Sequence, residues 1–125
     1  MIQELNGKHV HAYRNLHIPG RYWSIREVGS TKIGWRLPEI LLFEVDLRVQ
    51  PAGRKRAVDS KIRNVHAYIS GTVAVEEPTD SKWIPATYRP FDGCGSFQLL
   101  TGEPISHCKW AWLNSKGLFV ILDRP

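Results

Sequence analysis

Ile40-Leu41-Leu42-Phe43-Glu44-Val45-Asp46-Leu47-Arg48-Val49 is the stretch that decides the fold class. Leu41, Phe43, Val45, Leu47 and Val49 alternate with Glu44, Asp46, Arg48 and Gln50. Strict alternation of apolar and polar residues is the pattern of a strand with one face on a core and the other in water. The reading places Phe43, Val45 and Leu47 inside. Pro51 ends the strand, because proline donates no ladder hydrogen bond.

Working outward, the segments on both sides also read as strands. His9 to Leu16 puts Val10, Ala12 and Arg14 on one face. In Arg21 to Glu27, Trp23, Ile25 and Glu27 alternate with Tyr22, Ser24 and Arg26. Lys32 to Leu37 follows the turn Val28-Gly29-Ser30. Downstream, Ala52 to Arg63 is the best helix candidate, with Val58 and Ile62 one turn apart. Val65 to Val75 returns to strand. Ile84 to Gly95 carries Pro85, Pro90, Gly93 and Gly95 and reads as irregular loop. Two hairpins close the chain, one around Thr101-Gly102-Glu103 and one around Asn114-Ser115-Lys116-Gly117. The expected fold is mostly β or α+β: one domain over residues 1–125, an antiparallel sheet or partial barrel of short strands with one short helix.

Composition bounds the function. A chain of 125 residues with 42% hydrophobic residues and 5 Trp can bury a core. No apolar run approaches the ~20 residues of a membrane helix, and the first residues lack the basic and apolar regions of a signal peptide. The expectation is a cytoplasmic protein with no membrane partner. Cys94 and Cys108 are too few for a disulfide framework and lie outside any C-x-x-C spacing. The net charge is +5. Arg48, Arg54, Lys55, Arg56, Lys61 and Arg63 against Asp59 give +5 within residues 48–63, so the rest of the chain sums to zero. That window is the candidate phosphate-tracking surface, because lysine and arginine displace the counterions of nucleic acid; the alternative is a solvated helix face. Met1 to Arg36 holds a second basic region.

Candidate chemistry is sparse. Val10-His11-Ala12-Tyr13 recurs as Val65-His66-Ala67-Tyr68. On a strand, His11 shares a face with Tyr13 and His66 with Tyr68. Paired strands would bring two His-x-Tyr units to one surface. Such a pair resembles the two His-x-Thr/Ser motifs of the 2H phosphoesterases, which implies one imidazole as general base and the other as general acid on a phosphodiester. Tyr13 and Tyr68 stand where that family has a small hydroxyl residue. The competing reading is cross-strand packing of His and Tyr. His9-Val10-His11 resembles the His-hydrophobic-His string of rolling-circle nucleases, but only eight residues precede it and no helical tyrosine follows. His107 and Cys108 with Cys94 would make a poor metal set, since neighbours on a strand point to opposite faces. No metal is expected, and no cofactor fingerprint occurs: Gly93-Cys94-Gly95 lacks the third glycine and following helix of a dinucleotide motif.

Three stretches resemble a family of small hypothetical proteins found in phages, plasmids and bacterial genomes. They are His11-Ala12-Tyr13-Arg14-Asn15-Leu16-His17 with Trp23-Ser24-Ile25-Arg26; Gln50-Pro51-Ala52-Gly53-Arg54; and Arg63-Asn64-Val65-His66-Ala67 with Gly71. The similarity spans roughly the first 75 residues. It implies a mobile-element accessory protein and carries no catalytic residues across. The expectation is therefore a binding protein that contacts nucleic acid or an acidic protein partner through its basic face. The alternatives are a small phosphodiesterase built on His11, His66, Tyr13 and Tyr68, and an inhibitor of a host protein, such as a defence component, acting through exposed tryptophans. Oligomeric state is not legible.

Overall fold

The structure is a computed structural model and describes residues 5–15, 23–30, 34–51, 65–79, 82–91 and 94–122. Among the described residues ten strands form one antiparallel sheet: β1 His9–Asn15, β2 Trp23–Glu27, β3 Trp35–Leu37, β4 Ile40–Pro51, β5 Val65–Val73, β6 Ile84–Phe91, β7 Cys94–Leu99, β8 Pro104–Ile105, β9 His107–Asn114 and β10 Gly117–Ile121. Their order across the sheet is β3-β2-β1-β5-β4-β9-β10-β6-β7-β8. The sheet does not close, and its edge strands β3 and β8 are only 3 and 2 residues long. Short edges offer little ladder to a foreign strand.

The sheet makes its core by folding over on itself. β7 packs against β4, with three strands between them in the order. The Leu47 amide donates to the Ser106 carbonyl at 3.0 Å, and the Trp23 indole of β2 reaches the Asn114 carbonyl at 3.4 Å. The enclosed face carries Val10 and Ala12 of β1, Trp23 and Ile25 of β2, Val45 and Leu47 of β4, Ala67, Ile69 and Val73 of β5, and Phe97 and Leu99 of β7. Burying such side chains contributes about 1.5–3 kcal/mol each, which is why the alternation in these strands is so regular.

Among the described residues there is no α-helix, and no helix long and apolar enough to cross a membrane. The helix read into Ala52 to Arg63 lies outside the described residues.

Two local readings are corrected. The first concerns β4. Phe43 pairs with Thr72 and Asp46 with Ser70, which leaves Glu44 and Val45 together opposite Gly71. This is a β-bulge, and Glu44 sits at its first position with φ 54° in the left-handed region. The extra residue flips the strand's sidedness. Ile40 and Leu42 face the core before the bulge, and Val45 and Leu47 face it afterwards. Phe43 is therefore half-buried on the outer face, stacked on Trp110 at 5.2 Å. Gly71 fits closely beneath the bulge: a Cβ there would lie 3.2 Å from the Phe43 carbonyl oxygen and 3.3 Å from Val45 Cγ2, so its neighbours would have to give by a few tenths of an ångström.

The second concerns the segment read as loop, which forms β6 and the start of β7. Its prolines fall where β6 has a partner on one side only. Pro85 precedes the pairing with β7, and Pro90 lies beyond the pairing with β10. A missing N–H at such positions need not interrupt a ladder.

Candidate nucleic-acid interface

The outer face of β3-β2-β1-β5-β4 is ruled by register. One row runs Arg36, Ser24, Tyr13, Tyr68, Arg48 across five strands. The next runs Arg26, His11, Ser70, Asp46. At ~4.8 Å per strand, Arg36 and Arg48 stand about 19 Å apart with the two tyrosines between them. The tyrosine rings contact each other at 5.5 Å with a tilt of 33°, and the His11 ring meets Tyr68 edge-on at 6.3 Å.

The three arginines have no carboxylate within ion-pair range among the described residues, whose ion pairs are Lys8–Glu27 and His107–Glu44. The field of this face registers on His11. Burial first, then the charges of Arg26 and Arg48, hold its imidazole below the usual histidine range. His11 lies half-buried next to Arg26 in its row, with the exposed Asp46 two strands further along the same row. Its Nδ1 is buried and without a hydrogen-bond partner, as is Nε of Arg26.

The two Val-His-Ala-Tyr segments are neighbours, but antiparallel pairing crosses them at the tyrosines. Tyr13 faces Tyr68, while His11 faces Ser70 and His66 faces Asn15. His11 and His66 are thus separated by four residues, about 13 Å along the strands. General acid and base on one phosphodiester need to stand about one phosphate apart, each within ~2.6–3.2 Å of its proton. The register brings the tyrosines together and keeps the histidine positions apart.

Of the basic window, Arg48 is exposed on the outer face beside Tyr68. Arg54, Lys55, Arg56, Lys61 and Arg63 lie outside the described residues. Their connection leaves and rejoins the sheet at the pair Pro51 and Val65, at the same end as the tyrosine row. Arg26 and Arg36 belong to the second basic region, Met1 to Arg36. The alternation of Arg26 with Ile25 was the available signal of its outward side.

The remaining candidates are placed as follows. His9 is exposed, its Nδ1 3.3 Å from the Thr72 hydroxyl. His107 is exposed with Nε2 3.6 Å from Glu44, and Cys108 is buried. No three potential metal ligands gather among the described residues. Trp110 and Trp112 lie on the outer face of β9. Trp112 stacks with Trp83 and Phe119, and the Trp112 and Trp83 indoles donate to Glu39 and Glu77 at 2.8 and 3.1 Å. Phe43, Trp110, Glu76 and Glu77 border an open groove of about 540 Å3. This aromatic surface with an acidic rim lies on the same outer face, toward the Ile40 end of β4.

Residues 3–121 match the family of the Mycobacterium phage L5 gene 82 protein. The chain belongs to that family. Neither a curated protein nor a solved structure gives a significant match. Membership in the L5 gene 82 family supports the resemblance to phage-borne proteins, and it extends across the C-terminal strands that the motifs did not reach.

Proposed function

We propose that this phage-family protein is a nucleic-acid-binding module whose outer sheet face engages a single strand. The observation that carries the reading is the row Arg36, Ser24, Tyr13, Tyr68, Arg48, flanked by Arg26. Cations spaced across a sheet with aromatic rings between them are what a single-strand binder requires. Guanidinium groups track phosphates while bases stack on tyrosine faces. Arg54, Lys55, Arg56, Lys61 and Arg63 follow Arg48 in the sequence and lie outside the described residues. The phosphodiesterase alternative lacks a converging histidine pair, so binding is the better use of this surface.

The test is fluorescence anisotropy of a labelled single-stranded oligonucleotide across a salt series. Each phosphate contact contributes about 0.7 to the slope of log K against log salt for single strands. Changing Arg26, Arg36 and Arg48 together to Gln is expected to lower that slope by about 2. Tyr68→Ala is expected to cost about 1–3 kcal/mol for the lost stack. Absence of binding at low salt, or equal affinity for polyglutamate, would overturn the reading.

A further inference from the structure

We infer that the open groove beside Phe43 and Trp110 is a docking site for a cationic segment of a partner protein, one that lays a lysine or arginine side chain against the two rings. The groove lies on the outer face toward the Ile40 end of β4, away from the tyrosine row. Register builds it. Thr72, Phe43 and Trp110 stand in one row across β5, β4 and β9. Phe43 reaches that row because the β4 bulge turns it outward. Its ring meets Trp110 at 5.2 Å with a tilt of 55°, and both residues are half-buried. The chain leaving β5 forms the second wall with Val75, Glu76 and Glu77.

The chemistry of the groove selects its occupant. An aromatic face attracts a cation within about 6 Å of the ring centre. Glu76 and Glu77 are exposed at the rim, and none of the described lining residues is basic. Glu76 makes neither an ion pair nor a hydrogen bond among the described residues. Glu77 is held in place: its Oε1 accepts the Trp83 indole at 3.1 Å, and Trp83 stacks on Trp112 at 5.6 Å. Residues 76–80 carry three carboxylates on a chain whose net charge is +5. The sign here is opposite to that of the molecule, so a polyanion drawn to the arginine row is repelled from this groove. Its volume is about 540 Å3, within the ~300–1,000 Å3 of ligand sites, which holds one long side chain and its neighbours. Because the groove is open, a small free cation would keep most of its water and gain little. A peptide covers the rings with its own apolar residues, and a cation–π contact is stronger when desolvated. Val75, 44% exposed, offers apolar surface to the aliphatic stem of the lysine or arginine.

Heteronuclear NMR of the full chain tests the inference. The probes are the capped peptide Gly-Leu-Arg-Leu-Gly, the same peptide with glutamine for arginine, and the labelled single-stranded oligonucleotide. The arginine peptide is expected to shift the Trp110 indole and the Val75 and Glu76 amides saturably. The glutamine peptide is expected to bind roughly tenfold more weakly, through loss of the cation. Glu76→Lys, at an exposed position, is expected to weaken the arginine peptide by roughly tenfold or more without unfolding the chain. Phe43→Leu is expected to weaken it as well, and Glu76→Lys keeps the reading testable should Phe43→Leu fail to fold. The triple arginine variant of the outer face is expected to keep peptide affinity while losing the oligonucleotide, so the two surfaces succeed or fail independently. No saturable shift at millimolar peptide, or equal affinity for the glutamine peptide, would overturn the inference. So would an oligonucleotide that moves the Trp110 indole as the peptide does, which would assign the groove to the strand. A Trp110 indole shift on diluting the protein alone would assign it to a second copy of the chain and overturn the inference equally.

Discussion

The bulge in β4 can be tested by removing one side chain. Glu44 holds φ 54°, and an L-residue in the left-handed region costs about 1–2 kcal/mol because its Cβ crowds the following carbonyl. Glycine abolishes that cost but returns about 0.5–1 kcal/mol of backbone entropy to the unfolded chain. The balance makes Glu44→Gly stabilising by about 0.5–1 kcal/mol, where the same change in a regular strand destabilises. The Glu44–His107 contact at 3.6 Å complicates the comparison, since both side chains are well exposed and the pair contributes about 0–1 kcal/mol. Glu44→Ala removes the pair but keeps a Cβ, so it is the proper baseline. Urea denaturation of both variants with an unchanged m-value isolates stability from changes in the unfolded ensemble. Glu44→Gly is expected to exceed Glu44→Ala in midpoint. Equal midpoints, or a less stable glycine variant, would mean that Glu44 is ordinary extended backbone. The sidedness of Phe43 and Val45 would then have to be redrawn.

Gly95→Ala would place a Cβ 2.6 Å from Tyr88 Cζ and 2.7 Å from the Arg89 carbonyl oxygen; with backbone on one side, the expected cost is about 1–3 kcal/mol by thermal denaturation, together with displacement of the Tyr88 ring. His11 has its folded pKa below the unfolded 6.5, chiefly through burial and then Arg26 and Arg48. Its favourable contribution is therefore complete above about pH 6.5 and declines as pH falls toward the folded value. Between about pH 7.5 and about pH 5 the wild type is expected to lose more stability than His11→Gln, and parallel losses would remove His11 as the cause.

The β character of the chain was legible because most strands obey period two under a single buried face, as Val10 and Ala12, Trp23 and Ile25, and Ile69 and Val73 do. Sidedness in β4 was not, because the bulge residue is a glutamate. A polar residue at that place completes the alternation on paper, while its left-handed φ breaks the alternation in space. β6 was hidden for a different reason: whether Pro85 and Pro90 are tolerated depends on which side of the strand has a partner, and only the strand order supplies that. The interface divides in the same way. Arg48 stood out by local charge density, but Arg26 and Arg36 join it only through the order β3-β2-β1-β5-β4.

The recurrent Val-His-Ala-Tyr segment shows how register decides between chemistries that one motif could serve. Two identical segments paired antiparallel have a local two-fold relation, and only one residue type can sit on the axis. Here the axis passes between Tyr13 and Tyr68, so the histidine positions are thrown outward, toward Ser70 on one side and Asn15 on the other. Shifting the register by four residues toward the histidines would instead put His11 opposite His66 and push the tyrosines apart. Such a slip keeps the same faces, since four is an even number, so face burial alone does not choose between the two arrangements. The choice falls to packing elsewhere along the pair: Val10 opposite Gly71, with Gly71 fitted beneath the β4 bulge. The glycine under Glu44 therefore helps set which side chains meet on the outer face. It favours a stacked tyrosine pair between arginines over a pair of facing imidazoles.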